Sequence, residues 1–439
     1  MAERTGPPRF VKDAMRVFAG QIIMTGLGMG TGVITARWLG PHDRGLFQLL
    51  TFMPITLSNF VKLGIPQASV YYMRRKGASA SAVASNSIWL AFVMGTLLAL
   101  VCWFGRDWLL TNILKDSPRE LVLPTLVLVP FALLQFYMLG VAQAQERFTE
   151  YNIRQIAPNV LSLVGMFVSL VVLHQGLVAA VLTQAAIMVF MSGWLTLRVH
   201  REAPLQARVD GDLLRGMLGF GGKSYVQTLA ATLHHSLDQY LIAYLLNPGE
   251  VAYYVIGVNL SNLLLRLSDA TGTVLFPRLA AADPRQADLT TMRVCRSTML
   301  LTALGAVGLA IAGTIGIPIL YGEAFRRSTG PLLIMLPGVL LMAIYQILTR
   351  RFTSHARQGI NILAAVTALV LNVGLNFTLI PAMGIEGAAL AHAVSYGTAA
   401  CILLVAFVRE SGYSPRKVLV VERRDVDDLV RAARRVGGM

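Results

Sequence analysis

Charged residues and cysteines are scarce in this sequence, and each shortage limits the classes of protein to which it can belong. Asp, Glu, Lys and Arg make up 14% of the 439 residues, whereas soluble proteins average about 25%. The three cysteines, Cys102, Cys295 and Cys401, lie in separate apolar runs, so they predict neither a disulfide framework nor a metal site. The sequence also has no GxxxxGK[ST], GxSxG or HExxH motif. We therefore expect no enzyme activity, no cofactor and no metal.

Long apolar runs are abundant instead. The mean hydropathy is +0.60, and a bilayer-crossing helix needs about 20 mostly apolar residues. The pattern predicts an all-α polytopic membrane protein with twelve spans, at residues 14–38, 43–70, 83–104, 120–141, 157–173, 177–198, 214–246, 251–275, 293–320, 329–350, 358–380 and 385–408.

The basic residues predict the orientation of these spans. With both termini in the cytoplasm, 28 of the 38 lysines and arginines fall on the cytoplasmic side and seven on the opposite side. The net charge of +15 then reflects cytoplasmic loops beside anionic lipid, and nucleic acid is not an expected partner.

Two pairs of similar segments predict an internal repeat. "RWLGPHDRGLFQLL" at 37–50 resembles "YLLNPGEVAYYVIG" at 244–257, and "LHQGLVAAVL" at 173–182 resembles "MGIEGAALAH" at 383–392. The offsets are nearly equal, so we expect two pseudo-symmetric six-helix lobes with a substrate site between them. The predicted parts are an amino-terminal arm (1–13), a first lobe (14–198), a linker (199–213), a second lobe (214–408) and a cytoplasmic tail (409–439).

A polar stripe crosses the eighth span. Successive steps of three and four residues place its five members on one helical face, and they are Asn259, Asn262, Arg266, Asp269 and Thr273. A charge inside a bilayer is costly and marks a functional site by default, so we expect Arg266 to bind an anionic headgroup. The alternative is a permanent structural pair between Arg266 and Asp269.

The second and seventh spans carry similar stripes. Asn59 and Lys62 occupy the positions that correspond to Arg266 and Asp269, and we expect them to help bind the headgroup. On the seventh span, Lys223 is a further candidate ligand, although its side chain could reach the cytoplasmic surface instead. His234 and Asp238 are candidate ion-coupling residues; alternatively, His234 is structural and Asp238 pairs with an arginine of an outer loop.

The segments "ITARWLGPHDRGLFQLL" and "LDQYLIAYLLNPGEVAYYVIGVNLSNLLLRLSDATGTVLFPRLA" resemble the polysaccharide flippases of the multidrug/oligosaccharidyl-lipid/polysaccharide exporter (MOP) superfamily, over about residues 11–408. The resemblance implies a MATE-like fold and alternating-access transport of undecaprenyl-diphosphate-linked oligosaccharides across the bacterial inner membrane, for O-antigen, exopolysaccharide or capsule synthesis. It implies lipid-linked oligosaccharide and membrane lipids as partners, with polymerases or glycosyltransferases as candidate protein neighbours.

Three other functions remain open at this point. A multidrug antiporter of the same superfamily would have an acid-rich cavity, whereas these stripes carry Lys62 and Arg266. A lipid II flippase usually has two further helices. A non-transporting scaffold for polysaccharide enzymes would need no buried cations.

Overall fold

All the regular structure in the described part of the chain is helical. A computed structural model of the protein describes residues 7–145, 148–206, 208–355, 357–422 and 425. The helices of the first half are α1 (Pro7–Val61), α2 (Ile65–Arg75), α3 (Ala80–Phe104), α4 (Arg106–Asn112), α5 (Val122–Ala144), α6 (Phe148–Met166), α7 (Leu177–Glu202) and α8 (Gly211–Leu245).

The second half has the same style of long helices joined by short turns. They are α9 (Pro248–Asn262), α10 (Leu265–Ala281), α11 (Pro284–Tyr321), α12 (Thr329–Ser354), α13 (Gln358–Met383), α14 (Ile385–Ser411) and α15 (Pro415–Leu419). Short 3-10 turns at Arg119–Leu121 and Glu323–Ser328 precede α5 and α12, and a π-helical segment at Phe167–Val172 follows α6.

Within the described residues, seven helices are long and apolar enough to cross a membrane, or up to nine if each of two bent helix pairs forms one span. The chain is therefore a multi-pass membrane protein, as predicted. The number twelve stays a prediction, since α6 with its π-helical extension is a shorter apolar helix and α8 is not among the spans counted.

The first bend lies where the sequence predicted a break, and the other two were not predicted. α1 bends at Gly40, whose φ of 73° is accessible to glycine, directly before Pro41. The predicted span 43–70 is broken between α1 and α2 with a 53° bend, and the predicted span 251–275 is broken between α9 and α10 with a 44° bend. Broken helices at membrane depth are typical of transporter binding sites.

The chain divides into two compact units, and each has its own core. Residues Gly26–Ala252 form the amino-terminal unit; the carboxy-terminal unit runs from Tyr253 onward together with the start of α1 up to Thr25. α5 is the central helix of the first unit and packs against α2, α3 and α7. In the second unit, α12 and α14 are central and pack against each other and against α10, α11 and α13. The lobe boundaries predicted above stay a prediction.

The two turns of the first repeat pair meet inside the amino-terminal unit. A Cβ added to Gly45 would lie 1.8 Å from the carbonyl oxygen of Pro248, and one added to Gly249 would lie 3.7 Å from the Cα of His42. The backbones therefore cross in direct contact, which requires a residue without a side chain at position 45.

The chain after α14 packs against the carboxy-terminal unit as far as Asp425. Val418 is buried in the cluster that includes Cys295 and Phe407. Arg296 of α11 donates two hydrogen bonds to the Asp425 carboxylate, at 2.6 and 3.2 Å, and one to the Lys417 carbonyl at 2.6 Å.

Candidate functional site

The stripe predicted on the eighth span is the open side of the broken helix α9–α10. Asn259, Arg266 and Thr273 are exposed, and Asn262 and Asp269 are half-buried. The helix also has a packed side, on which Leu260, Ser261, Leu265, Ser268, Ala270 and Leu275 are buried. We call the five stripe residues the α9–α10 polar face. The packed side of this helix is mainly apolar and its open side is polar.

An exposed helix face in the same unit shows the opposite arrangement. The exposed side of α11 carries Leu304, Val307, Ile311, Ile315 and Ile319, each between 60% and 63% exposed. Such an apolar surface suits hydrocarbon, whereas a guanidinium and two amides would leave unsatisfied polar groups there. The α9–α10 polar face is therefore suited to water or a polar ligand.

The break between α9 and α10 places Arg266 in the first turn of a new helix. The backbone passes through tight turns, in which Leu263 N–H donates to Leu260 and Arg266 N–H donates to Leu263. The second residue of α10 is Arg266. The amino-terminal end of a helix carries a partial positive charge, which favours anions. The break thus adds a helix dipole to the arginine's own charge.

A second arginine joins this site from α12. Asp269 interacts electrostatically with both Arg266 and Arg350. A Cβ added to Gly272 would lie 3.2 Å from Arg350 Nε and 3.3 Å from its Cγ, so the arginine stem lies against the bare backbone of α10. Within the described residues, Arg266 and Asp269 do not form a direct ion pair. One carboxylate is therefore shared by two cations, and the cluster keeps a net positive charge.

Sequence reasoning placed Arg350 at the cytoplasmic end of a predicted span and did not connect it with the stripe. The sequence signal that could have indicated it is Gly272, three residues after Asp269. A glycine there leaves room for a long side chain from another helix beside that carboxylate.

The corresponding stripe on α1 is packed inside the amino-terminal unit. Asn59 and Lys62 are 6% and 9% exposed. Lys62 Nζ donates to Asn59 Oδ1 at 2.6 Å and lies 4.9 Å from the centre of the Phe136 ring, while Asn59 Nδ2 donates to the Ile55 carbonyl. This ammonium therefore already has an amide oxygen and an aromatic face as partners. The structure places Lys62 at the break between α1 and α2, directly before Leu63 and Gly64, both of which have positive φ.

Further along α1, polar side chains connect this helix to α8. Gln48 Nε2 donates to Gln239 Oε1 at 3.1 Å, and Arg44 Nη1 donates to Gln48 Oε1 at 3.4 Å. On the same helix, the predicted coupling residues His234 and Asp238 lie five residues and one residue before Gln239. They are 6% and 1% exposed, and both interact with other groups of the protein. The side chain of Lys223 lies outside the described residues.

The structure therefore brings Arg266 and Asp269 together in one unit and Asn59 and Lys62 together in the other. The binding and coupling roles of all these residues, and of Lys223, His234 and Asp238, stay predictions.

Comparisons with solved structures show the fold. The chain resembles a lipid II flippase, MurJ, in an inward closed conformation, with a TM-score of 0.77 and 14% identity over 90% of both chains. It resembles an inward-facing multidrug resistance MATE family transporter with a TM-score of 0.70 and 14% identity, over 89% of this chain and 94% of the other. A MOP superfamily transporter from Pyrococcus furiosus aligns with a TM-score of 0.63 and 14% identity, over 92% and 95% of the two chains. The predicted MOP fold is confirmed.

A curated relative points in the same direction at the level of sequence. The chain is 23% identical over 186 residues to a probable low-salt glycan biosynthesis flippase, Agl15, from Haloferax volcanii. The match covers 42% of this chain and only 39% of that protein.

The family itself follows from a match to a family model. The model described as "Polysaccharide biosynthesis protein" matches residues 10–282, which is more than half of the chain and includes both broken helices. The chain belongs to the polysaccharide biosynthesis protein family.

Proposed function

We propose that this protein flips lipid-linked oligosaccharides, joined to undecaprenyl diphosphate, across the bacterial inner membrane by alternating access. The family and the fold support a flippase. The observation that carries the choice of substrate is the α9–α10 polar face, with two arginines around one carboxylate.

The chemistry of a lipid diphosphate matches this face. A diphosphate cannot cross hydrocarbon without compensation, and a guanidinium offers a planar fork to its oxygens. Asp269 offsets part of the positive charge of the two arginines when no substrate is bound, and the phosphate oxygens offset the rest when substrate arrives. The exposed Asn259 and the half-buried Asn262 supply amides that can exchange hydrogen bonds with sugar hydroxyls.

Two substitutions separate ligand binding from a structural role. The assay uses proteoliposomes that contain a sugar-labelled lipid-diphosphate oligosaccharide and follows the label with a membrane-impermeant quencher. Arg266→Ala should abolish flipping. Asp269→Asn should keep substantial flipping, because both arginines remain available for phosphate. Arg326→Ala removes an exposed arginine that pairs with Glu323 and should leave flipping unchanged.

A binding measurement makes the test independent of transport. Loss of a charge-assisted hydrogen bond of about 1.5–3 kcal/mol should weaken binding of a short-chain isoprenyl diphosphate by roughly tenfold to a hundredfold in Arg266→Ala. If Asp269→Asn is folded and loses flipping as fully as Arg266→Ala, the cluster is structural. If organic cations are transported and the diphosphate does not bind, the antiporter alternative holds.

We further propose that residues of α8 couple flipping to an ion gradient. Asp238 and His234 lie one turn apart and are both buried, and ionisable side chains inside a membrane span are candidates for ion coupling. Asp238→Asn should abolish gradient-driven flipping and keep diphosphate binding. Asp212 is an exposed carboxylate in the first turn of the same helix, and Asp212→Asn is the matched control. Normal gradient-driven flipping by Asp238→Asn across a pH series would make Asp238 a structural residue.

A further inference from the structure

An apolar groove lies between α6 and α7, and among the described residues that line it Arg198 is the charged one. Its volume is about 780 Å³, and its walls include Ile153, Ile156, Val160 and Phe190, with Trp194 and Arg198 at one end. Phe190 is 60% exposed and the three aliphatic side chains are each about 40% exposed, so the groove is open along its side. An open apolar groove in a membrane protein faces hydrocarbon.

The charged end of the groove lies at the end of α7. The guanidinium carbon of Arg198 is 5.8 Å from the centre of the Trp194 ring, and Arg198 is exposed. The linker that follows α7 is predicted to be cytoplasmic. Tryptophan and arginine side by side are typical of the membrane–water interface, where the ring sits at headgroup level and the cation faces phosphate.

The length of the groove matches one leaflet. Its walls extend from Ile153 to Leu161 on α6 and from Phe190 to Arg198 on α7. Eight residues of helix rise about 12 Å, and half of the hydrocarbon core is about 15 Å thick. The groove therefore runs from the interface almost to the middle of the bilayer, which is the length of one acyl chain.

We propose that this groove binds one acyl chain of an anionic phospholipid of the cytoplasmic leaflet, with the lipid phosphate at Arg198. A zwitterionic headgroup would bring its own cation beside the guanidinium, whereas an anionic headgroup adds only negative charge. The site goes beyond the proposed function, since it involves no part of the α9–α10 polar face and needs no transported substrate.

Quenching of Trp194 by brominated lipids tests the proposal. The chain has five tryptophans, and replacing Trp38, Trp89, Trp103 and Trp108 by Phe leaves Trp194 as the reporter. This variant is placed in phosphatidylcholine vesicles with a minor fraction of phosphatidylglycerol, and either lipid carries bromine on its acyl chains. Per lipid, brominated phosphatidylglycerol should quench Trp194 about fivefold more than brominated phosphatidylcholine, the factor that one basic residue near the surface provides.

Matched substitutions separate the groove from general surface charge. Arg198→Ala and Arg198→Gln should abolish the fivefold preference, and Arg198→Lys should keep most of it. Arg201→Ala removes an exposed arginine three residues further along α7 that is not part of the groove, and it should keep the preference.

A second pair of variants tests the acyl chain. Ala157 lines the groove, so Ala157→Phe should fill it and reduce quenching by both lipids. Ala99→Phe fills a different apolar groove of the same unit, between α3 and α5, and should change nothing at Trp194. Variants are compared only when they elute as monodisperse protein.

Three results would overturn the inference. Equal quenching by the two lipids in the reporter variant would mean that the groove holds any bilayer lipid. Equal loss of preference in Arg201→Ala and Arg198→Ala would assign the effect to the charge of the whole surface. Displacement of the brominated phosphatidylglycerol by a short-chain isoprenyl diphosphate would assign the groove to the substrate.

Discussion

Two adjacent arginines of α12 should respond to alanine substitution in opposite ways. Arg350 is half-buried and lies over Gly272 beside the α9–α10 polar face. Arg351 points into the unit, where its Nε lies 2.9 Å from Asp288 Oδ1 and its Nη1 lies 3.1 Å from Glu410 Oε2. We expect Arg350→Ala to remain folded and lose flipping, and Arg351→Ala to lose folded protein.

The magnitude for Arg351 follows from its partners. Its side chain is 6% exposed and that of Asp288 is 8% exposed. Glu410 keeps a second partner in Arg357 at 2.8 Å, so Asp288 is the carboxylate that loses its compensating charge. Removing one member of a buried pair costs about 3–5 kcal/mol of unfolding free energy, whereas substitution of a partly exposed arginine outside such a network costs about 0.5 kcal/mol.

A double substitution then identifies the cause. Asp288→Asn removes the charge that Arg351→Ala leaves uncompensated, so Arg351→Ala with Asp288→Asn should be more stable than Arg351→Ala alone. The measurement is the unfolding midpoint in detergent, followed by tryptophan fluorescence and by recovery of monodisperse protein. Equal midpoints for Arg350→Ala and Arg351→Ala, or an additive double mutant, would refute the assignment of Arg351 to the buried network.

Three shorter predictions concern other parts of the molecule. Gly272→Ala should push aside the guanidinium that lies over it and reduce flipping severalfold in folded protein, whereas Gly308→Ala, with no neighbour within 4 Å, should be silent in a vesicle flipping assay. If both termini are cytoplasmic, a cysteine at Glu323 should react with an impermeant reagent added outside cells and a cysteine at Arg416 should not; the reverse result contradicts the orientation. Burial raises the pKa of Asp425, but hydrogen bonds from its arginine partner on α11 and from a backbone N–H lower that pKa by more. The pKa of Asp425 therefore lies below the ordinary value. Because the carboxylate contributes stability only while it is ionised, the tail contact should hold at neutral pH and weaken below about pH 4, which limited proteolysis at each pH would detect.

The class of the protein and the position of the α9–α10 polar face could be predicted because both depend on local patterns. Hydropathy over about 20 residues is sufficient to identify a spanning helix. Steps of three and four residues are sufficient to place Asn259, Arg266 and Thr273 on one face, and these three are the exposed members of the stripe.

The breaks in the two stripe-bearing helices could not be predicted in the same way. Gly64 and Pro66 stand at the break between α1 and α2, but a glycine and a proline do not fix the direction in which the chain continues. Residues 262–265, at the break between α9 and α10, include neither residue type, and the change of direction there depends on what packs against it. A Cβ on Gly64 would lie 2.3 Å from the carbonyl oxygen of Gly221 in α8, so the break between α1 and α2 accommodates a helix that is distant in sequence. Arg350 escaped prediction for the same reason, since its link to Asp269 arises only when α12 packs against α10.

The internal repeat pairs Asn59 with Arg266 and Lys62 with Asp269, so each half carries a cation at this level, but the two cations have different environments. Lys62 is 9% exposed, donates a hydrogen bond to an amide oxygen and lies over an aromatic ring. Arg266 is exposed at the start of α10, beside a carboxylate that it shares with Arg350. A buried cation that is already satisfied gains little from a phosphate, because its present partners must be given up first. An exposed arginine at a helix start has no such cost. In the conformation observed, headgroup binding should therefore depend on Arg266 and Arg350 first, and Lys62→Met should reduce diphosphate binding much less than Arg266→Ala. Equal losses in the two folded variants would show that the buried lysine is as accessible to phosphate as the exposed arginine, and would contradict this reasoning.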